Sequence, residues 1–253
     1  MTLLALLLVV AAEEAPPKEE TAKDISQKSR EKGALNLVGL TAQLKLSTTS
    51  KDGKVKDQVL TTSSKKIDAR SRVVTRFEQP AGVSGVAFLT VEGDKGEADD
   101  ISLYLPKLKR VRKVAKQERG RAFMDTDFSY SDIASNGGRD EDFKKLADEK
   151  VEGRDCYVIK GKGGEDTPYG DVTMWVDKQY FVPMKVDYLD KKNEPLKRYR
   201  TLKLKSFKDR TVAAESVMEN LQTGSKTQMV VLSLNDAPVG DEAFTERALE
   251  RGP

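Results

Sequence analysis

Three aspartates in one short stretch are the residues whose type and spacing first suggest chemistry. Asp125, Asp127 and Asp132 lie within the run AFMDTDFSYSD. Paired carboxylates can act as acid and base in the hydrolysis of a glycosidic bond, but short-spaced carboxylates are common in loops and no supporting site residues accompany these three. Their spacing also differs from that of an EF-hand calcium loop. We therefore predict no catalytic residue and no metal site in this run.

The residue inventory restricts catalysis further. The 253 residues include no histidine, which removes the commonest general base and the commonest transition-metal ligand. The one cysteine, Cys156, cannot form an intrachain disulfide or a cysteine-based zinc site, and it has no histidine to activate it as a nucleophile. We predict that Cys156 is a small buried apolar residue, and that the protein is not an enzyme and uses no cofactor.

A basic run precedes the aspartates. The fifteen residues 107–121 hold eight lysines or arginines against one glutamate. This run is either a solvated strand face or a contact surface for anionic lipid headgroups or a partner transporter. Nucleic acid is disfavoured because the whole chain has a net charge of only +3. The candidate contact residues are Lys109, Arg110, Arg112 and Lys113.

Most of the chain alternates apolar and polar residues with the period of a β-strand. In one run, Leu40, Ala42, Leu44 and Leu46 share a face, and the turn Asp52-Gly53 follows as a hairpin signal. About twelve such strands, nearly all joined by hairpin-length turns, predict a mainly β fold: a curved antiparallel sheet or incomplete β-barrel. Short helices are predicted at residues 22–32, roughly 139–149, and 241–251.

The strand pattern implies more apolar sheet surface than three short helices can fill. Larger barrels and half-barrels enclose ligand cavities for this reason, although a fully packed core with no ligand space fits the pattern equally well. Phe123, Met124, Phe128 and Tyr130 either line the cavity or anchor a long loop to the core. The single tryptophan, Trp175, is either core or cavity wall.

The chain begins with an apolar segment. Residues 1–12, MTLLALLLVVAA, are too short to span a bilayer as a helix but match a secretory signal peptide. Residues 13–22 are rich in Glu, Ala, Pro and Lys and are predicted to be a disordered spacer. Residues 23–253 are predicted to form a single domain. The signal-like start predicts export, and no cysteine follows it for acylation.

Several ordered motifs resemble the LolA-like outer-membrane lipoprotein-sorting proteins, in particular the branch found beside exporters of the RND or MMPL type. The resemblance covers about residues 30–250. That branch has a Tyr-Leu-Pro run, a basic strand and an aromatic segment, followed downstream by a Trp-Val-Asp motif and a closing FTERALER. The matching positions here are Tyr104-Leu105-Pro106, Lys109 to Lys113, Phe123, Met124, Asp127, Phe128, Tyr130, Asp132, Trp175-Val176-Asp177, Pro183 and Lys185.

The resemblance implies an open barrel with helices as a lid over an apolar cavity, and carriage of lipid or lipoprotein acyl chains through the periplasm as a monomer. A basic residue that latches the lid is implied, for which Arg72 and Arg76 are candidates by chain position. An inner-membrane transporter is an implied partner, and nucleic acid is not. A packed adaptor protein of an exporter system remains the alternative. The predicted cavity residues are Leu40, Leu44, Phe77, Phe88, Phe123, Met124, Phe128, Tyr130, Met174, Trp175, Met184 and Tyr188.

Overall fold

The structure is a computed structural model that describes residues 19–32, 38–94, 97–133, 143–165 and 167–251. The predicted signal peptide lies outside these ranges, as does most of the predicted spacer. Within them, no helix combines the length and the hydropathy that are needed to cross a membrane.

Strands dominate the fold, as the sequence pattern predicted. The first six strands are β1 (Thr41–Thr49), β2 (Val55–Ile67), β3 (Arg70–Gln79), β4 (Ala87–Val91), β5 (Asp100–Leu105) and β6 (Arg110–Lys113). The remaining eight are β7 (Lys144–Lys145), β8 (Glu149–Val151), β9 (Arg154–Lys162), β10 (Tyr169–Asp177), β11 (Pro183–Asp190), β12 (Pro195–Phe207), β13 (Arg210–Asn220) and β14 (Lys226–Asn235). The helices are α1 (Ala22–Lys32), α2 (Tyr130–Ile133) and α3 (Glu246–Arg251).

All fourteen strands belong to one curved antiparallel sheet in the order β6-β5-β4-β3-β2-β1-β14-β13-β12-β11-β10-β9-β7, with β8 also paired to β9. Each half of the sheet is a meander of sequence neighbours, and the pairing of β1 with β14 joins the halves. The end strands β6 and β7 do not pair with each other in this order, so the sheet is an open half-barrel and not a closed barrel.

Alternation along the strands creates one continuous apolar face, here called the inner face. Ala42, Leu44 and Leu46 of β1 are all buried, as their spacing predicted. Leu44 lies opposite Leu60 of β2 and Val231 of β14, so the apolar stripe passes from strand to strand across the sheet. Because side chains on a strand point alternately to the two faces, each matched register keeps this stripe on the same side.

The hairpin turns also follow the sequence signals. Gly53 has a φ of +83° in the turn between β1 and β2, a conformation that glycine adopts without the steric cost of a Cβ. Turns over DKKNE and TGSK connect β11 to β12 and β13 to β14, as predicted.

The predicted helix at roughly residues 139–149 is wrong for residues 143–149, which form β7, a short connection and the start of β8. Residues 139–142 lie outside the described ranges. Phe143 and Leu146 are three positions apart and were interpreted as one helix face. In this extended segment an odd spacing puts them on opposite sides: Phe143 packs in an apolar cluster, while Leu146 is exposed and its N–H donates to the Val158 carbonyl at 2.8 Å.

The helix predicted at residues 22–32 is confirmed, whereas the one predicted at residues 241–251 divides into a 3₁₀ helix, Asp241–Phe244, and α3. These helices lie on opposite faces of the sheet. In α1, Ala22 and Ile25 pack on the inner face of β9 and β10. Thr21 and Asp24 cap α1 reciprocally, each backbone N–H donating to the other's side-chain oxygen at 3.1 Å. Near the C-terminus, Phe244 and Leu249 are fully buried against β4 on the outer face of the sheet.

The packing of α3 predicts that Leu249→Ala lowers the free energy of unfolding by about 2–5 kcal/mol, since it removes a fully buried side chain and leaves a cavity. Leu232→Ala is the control, because Leu232 is 48% exposed and should change the stability by less than about 0.5 kcal/mol. Urea denaturation of both variants measures the difference. Equal stability losses would contradict the docked position of α3.

Candidate functional site: the covered inner face

Residues 114–133, here called the covering segment, lie over the inner face of the first half of the sheet. Val114 and Phe123 are buried in the same cluster as Leu44, Phe77 and Phe88. Four further residues of the segment pack against this cluster, namely Met124, Phe128, Tyr130 and Ile133. This stretch between β6 and β7, as far as the structure describes it, therefore supplies an apolar layer of its own.

An aromatic cluster joins the segment to the sheet. Phe123 lies between Phe77 of β3 and Phe88 of β4, with ring centroids 5.5 and 4.7 Å apart. Tyr130 contacts Phe88 at 5.8 Å and Phe123 at 5.7 Å, the latter edge to face. Each such pair contributes about 0.5–1.5 kcal/mol beyond the area that it buries. The cluster is thus the apolar anchor of the covering segment.

A tight reversal presents Phe123 to the sheet. The Phe123 N–H donates to the Phe128 carbonyl at 2.7 Å, and the chain turns at Met124 and Asp125, whose φ angles are +49° and +62°. Gln58 of β2 stabilises this turn from the inner face, since its buried side-chain amide donates to the Met124 carbonyl at 3.1 Å. A carbonyl buried in an irregular segment needs such a partner.

Asp127 fixes the turn to the middle of the sheet. Its N–H donates to Thr227 Oγ1 at 2.9 Å, and the Thr227 hydroxyl donates back to Asp127 Oδ2 at 2.7 Å. Ser225 donates to the other carboxylate oxygen. Asp127 and Thr227 are both buried, so hydroxyl donors of the β13–β14 hairpin hold this carboxylate inside the structure.

Asp132 fixes the end of the segment to the second half of the sheet. The Tyr169 hydroxyl of β10 donates to Asp132 Oδ1 and Oδ2 at 2.7 and 2.8 Å. Lys197 Nζ of β12 lies 3.5 Å from Asp132 Oδ2 and 3.2 Å from the Tyr169 hydroxyl. The side chains of Asp132 and Lys197 are 7% and 9% exposed, so this is a buried ion pair with a tyrosine in contact with both partners.

Burial governs the protonation of the inner-face tyrosines. It raises the pKa of Tyr169 well above the ordinary tyrosine value, and the adjacent Asp132 carboxylate adds to that rise. Burial also raises the pKa of Tyr199, which lies on β12 two residues from Lys197. Both phenols therefore stay protonated at pH values where an exposed tyrosine ionises.

The predicted cavity residues divide between the two faces. Leu40, Leu44, Phe77 and Phe88 lie in the cluster under the covering segment together with Phe123, Met124, Phe128 and Tyr130. Phe128 also contacts the neighbouring inner-face cluster, where Met174 and Tyr188 lie.

Trp175 and Met184 do not join this surface. They pack with Cys156 and Val158 on the outer face, as the alternation of β10 requires when Val172 and Met174 point inward. The Trp175 indole donates to Glu149 Oε2 at 2.7 Å. Cys156 is buried as predicted, and burial raises the pKa of its thiol to about 11.

The basic run is partly neutralised within the chain. Arg112 pairs with Glu118 at 2.7 Å, and Lys113 pairs with Asp100 and Glu246 at 3.1 and 2.8 Å. Exposed positions next to them, at the tip before β6 and at its start, are Lys107, Leu108, Lys109 and Arg110. Of the four predicted contact residues, Lys109 and Arg110 are thus exposed, whereas Arg112 and Lys113 are paired with carboxylates of the chain.

Arg72 and Arg76 contact the C-terminal part of the chain on the outer face. Arg76 Nη2 donates to the carbonyls of Ala248 and Leu249 at 3.2 and 3.0 Å, and Arg72 Nη1 donates to the Phe244 carbonyl at 3.3 Å. These contacts hold α3 and the turn before it. They lie on the side of β3 opposite Phe77 and the covering segment, and a lid-latch role for either arginine stays a prediction.

Three of the residues that hold the covering segment were not singled out from the sequence. Gln58 is two residues from Leu60, Lys197 is two from Tyr199, and Thr227 is two from Met229. Each is a polar residue at a position whose alternation points to the apolar face, and that pattern was the available signal.

Cavities of about 370 and 100 Å³ lie elsewhere among the described residues, and the aromatic cluster lines neither of them. The larger lies on the outer face near Met184 and Arg200, and the smaller lies between Leu40 and Val239. Among the described residues, no group of three or more Cys, Asp or Glu side chains is arranged to hold a metal ion.

The buried ion pair predicts a large effect for Asp132→Asn. This change leaves the Lys197 ammonium buried without a counter-charge and should lower the free energy of unfolding by about 3–5 kcal/mol. The control is Asp125→Asn, because Asp125 is 84% exposed in its pair with Lys56 and its loss should cost less than about 1 kcal/mol. The double variant Asp132→Asn/Lys197→Met should recover part of the loss in urea denaturation. A loss no larger than that of the control would contradict the anchor.

The buried tyrosines predict loss of stability at high pH. The unfolded chain releases phenol protons near pH 10, whereas folded Tyr169 and Tyr199 retain theirs. The free energy of unfolding is therefore at its full value below pH 10 and falls as the pH rises further, by about 1.4 kcal/mol per pH unit for each fully ionised group. Tyr199→Phe should reduce this slope in urea titrations at pH 9 to 11, while Leu232→Ala should not. An unchanged slope in Tyr199→Phe would contradict the prediction.

Comparison with solved structures identifies the fold. A domain described as an outer membrane lipoprotein-sorting protein from Vibrio parahaemolyticus is 28% identical, with a TM-score of 0.80 over 90% of this chain and 98% of that one. A DUF1329 family protein from Desulfovibrio piger is 24% identical, also with a TM-score of 0.80, over 90% and 97%. A LolA superfamily protein from Nitrosomonas europaea is 19% identical, with a TM-score of 0.71 over 91% and 100%.

Comparison with curated protein sequences gave no match. A family model described as "uncharacterized protein" matches residues 69–251, which include twelve of the fourteen strands, all but β1 and β2. The chain belongs to that family, and it has the fold of the LolA-like outer-membrane lipoprotein-sorting proteins that its motifs resemble.

Proposed function

We propose that the protein is a soluble periplasmic carrier that binds lipid or lipoprotein acyl chains on the inner face and delivers them toward the outer membrane. The proposal takes residues 1–12 as a signal peptide and residues 23–253 as one domain. It is supported by the LolA-like fold and by the similarity to the Vibrio parahaemolyticus domain, which is described as a lipoprotein-sorting protein. In this proposal the carrier is a monomer, has no enzymatic step and receives its cargo from an inner-membrane transporter.

The observation that carries the proposal is the way in which the inner face is covered. Phe77, Phe88 and their neighbours are covered by an irregular segment and not by a second sheet or a long helix. Polar contacts of Asp127 and Asp132 hold that segment at two points. An acyl chain that takes the place of Phe123 and Tyr130 would meet the same apolar surface.

The free energy gained when an acyl chain is buried and the free energy needed to release the covering segment are of the same order. Burial of an acyl chain contributes about 0.8 kcal/mol for each CH₂ group, or about 8 kcal/mol for ten groups. A hydrogen bond to a charged group contributes about 1.5–3 kcal/mol, so release of Asp127 and Asp132 together costs an amount of the same order. A balance of this kind would let cargo bind and still be released.

The exposed part of the basic run is the proposed membrane or transporter contact. Lys109 and Arg110 are exposed beside Leu108, which is 55% exposed. Cations that flank an exposed apolar side chain suit a surface of anionic headgroups. Arg112 and Lys113 contribute less, because both are paired with carboxylates of the chain.

A second candidate function is a non-carrier adaptor of an exporter system with a packed interior. The close packing of Phe123 between Phe77 and Phe88 favours it, because the ring centroids lie only 5.5 and 4.7 Å apart. The two functions differ in whether the covering segment leaves the inner face.

Adjacent residues of β14 provide a matched test of acyl-chain binding. Val231 packs against the inner-face cluster, whereas its neighbour Leu232 is exposed. Val231→Glu should lower the affinity for a fluorescent fatty acid at least tenfold, because it places a charge on the apolar surface, and Leu232→Glu should change it less than twofold. Thermal unfolding of each variant checks that the fold is retained.

Native mass spectrometry of the protein purified from a Gram-negative periplasm supplies the second measurement. The carrier function predicts a co-bound lipid mass that is lost in Val231→Glu. A lipid-free mass together with no uptake of fatty acid would refute the carrier function and favour the adaptor.

A further inference from the structure

One strand of the second half of the sheet projects past its neighbour. β11 pairs with β12 as far as Lys185 and Arg200. β12 continues to Phe207 with β13 as its partner. Residues 202–206 therefore have a strand on one side and, within the described part of the chain, no paired strand on the other. Five residues of strand extend over roughly 17 Å.

The early turn between β10 and β11 leaves this edge open. The Asp177 N–H donates to the Val182 carbonyl at 3.0 Å, and Phe181 has a φ of +57° in the turn. β11 then begins at Pro183, which has no N–H to donate, and the Thr201 hydroxyl donates to the Pro183 carbonyl at 2.7 Å. The ladder thus ends at Thr201 for a local structural reason.

A groove of about 370 Å³ runs beside the open edge. Leu202 is an extra residue in the β12–β13 register, as in a β-bulge, and it is 50% exposed. Leu204 packs against Trp175 and Met184, so the groove has an apolar side. The lining residues are Glu152, Arg154, Met184, Arg200, Thr201, Leu202, Lys203 and Leu204.

The charge of the edge decides what can bind there. Lys203 and Lys205 are exposed, and Lys203 makes a long contact of 3.5 Å with the half-buried Glu215. Arg200 donates to Glu219 at 3.1 Å, and its Nε is buried without a described hydrogen-bond partner. Lysines on an open edge repel a second copy of the same edge and so disfavour self-association. The same lysines attract an acidic strand.

We infer that the open edge of β12 binds an extended acidic segment of a partner protein, which adds to the sheet as a further strand. Main-chain hydrogen bonds to residues 202–206 supply affinity, as in other cases of strand addition. Apolar side chains of the segment pack in the groove near Met184 and Leu204, and its carboxylates pair with Lys203 and Lys205. This surface is on the outer face and does not depend on the proposed lipid site.

The test uses the full chain and two labelled ten-residue peptides, one alternating glutamate with valine and the other alternating lysine with valine. Fluorescence anisotropy should show that the acidic peptide binds at least tenfold more tightly. Lys203→Glu/Lys205→Glu should weaken its binding at least tenfold. The matched control is Lys191→Glu/Lys192→Glu, which makes the same charge change in the exposed turn before β12 and should alter the affinity less than twofold.

Hydrogen exchange locates the bound peptide and separates strand addition from simple charge attraction. The acidic peptide should protect the amides of residues 202–206. Equal binding of the two peptides, an equal effect of the two lysine pairs, or protection at the other basic edge strand, β6, would overturn the inference. A dimer of the chain that is lost in Lys203→Glu/Lys205→Glu would also overturn it, because a second copy would then occupy the edge.

Discussion

The apolar inner face of an open sheet must be kept from water, and the rest of this structure follows from how that is done. A closed barrel or a sandwich covers its apolar face with more sheet. Here α1 covers β9 and β10, while the covering segment lies over the first half. The segment reaches β2 through Gln58, β14 through Thr227, and β10 and β12 through Tyr169 and Lys197. It is therefore the one described segment that contacts both halves of the inner face at several strands.

The chemistry of these contacts distinguishes the cover from the core beneath it. An irregular segment carries backbone groups that a buried site must satisfy, and polar side chains on the inner face supply the partners. If the segment moves, water can hydrogen-bond to Asp127 and Asp132, but it cannot replace the apolar contacts of Phe77 and Phe88. The covering segment is thus attached by polar contacts that water can replace. The apolar surface beneath it costs about 25 cal/mol for each Å² when it is exposed to water.

Sequence alternation predicted the sheet because a half-buried strand records its two faces directly, as β1 does with Leu44 and Leu46. It predicted the helices where capping or buried residues agreed, as at Phe244 and Leu249. It failed at Phe143 and Leu146, since a spacing of three fits a helix face and also the two sides of a short edge strand. The partners of Asp132 could not be predicted from the sequence, because Tyr169 and Lys197 lie on different strands and only the folded sheet brings them together.

The pairing of β1 with β14 has a consequence for how the chain assembles. Every other neighbouring pair in the first half, from β1 to β6, is a hairpin of adjacent strands, and so is every pair from β9 to β14 in the second half. Each half can therefore form from contacts between residues that are close in sequence, which is the fast part of folding. The β1–β14 pairing joins residues that are far apart in sequence, such as Thr41 and Asn235, so it can form only when the last strand is available. Until the second half has formed, the inner face of the first half has only its own covering segment to shield it from water.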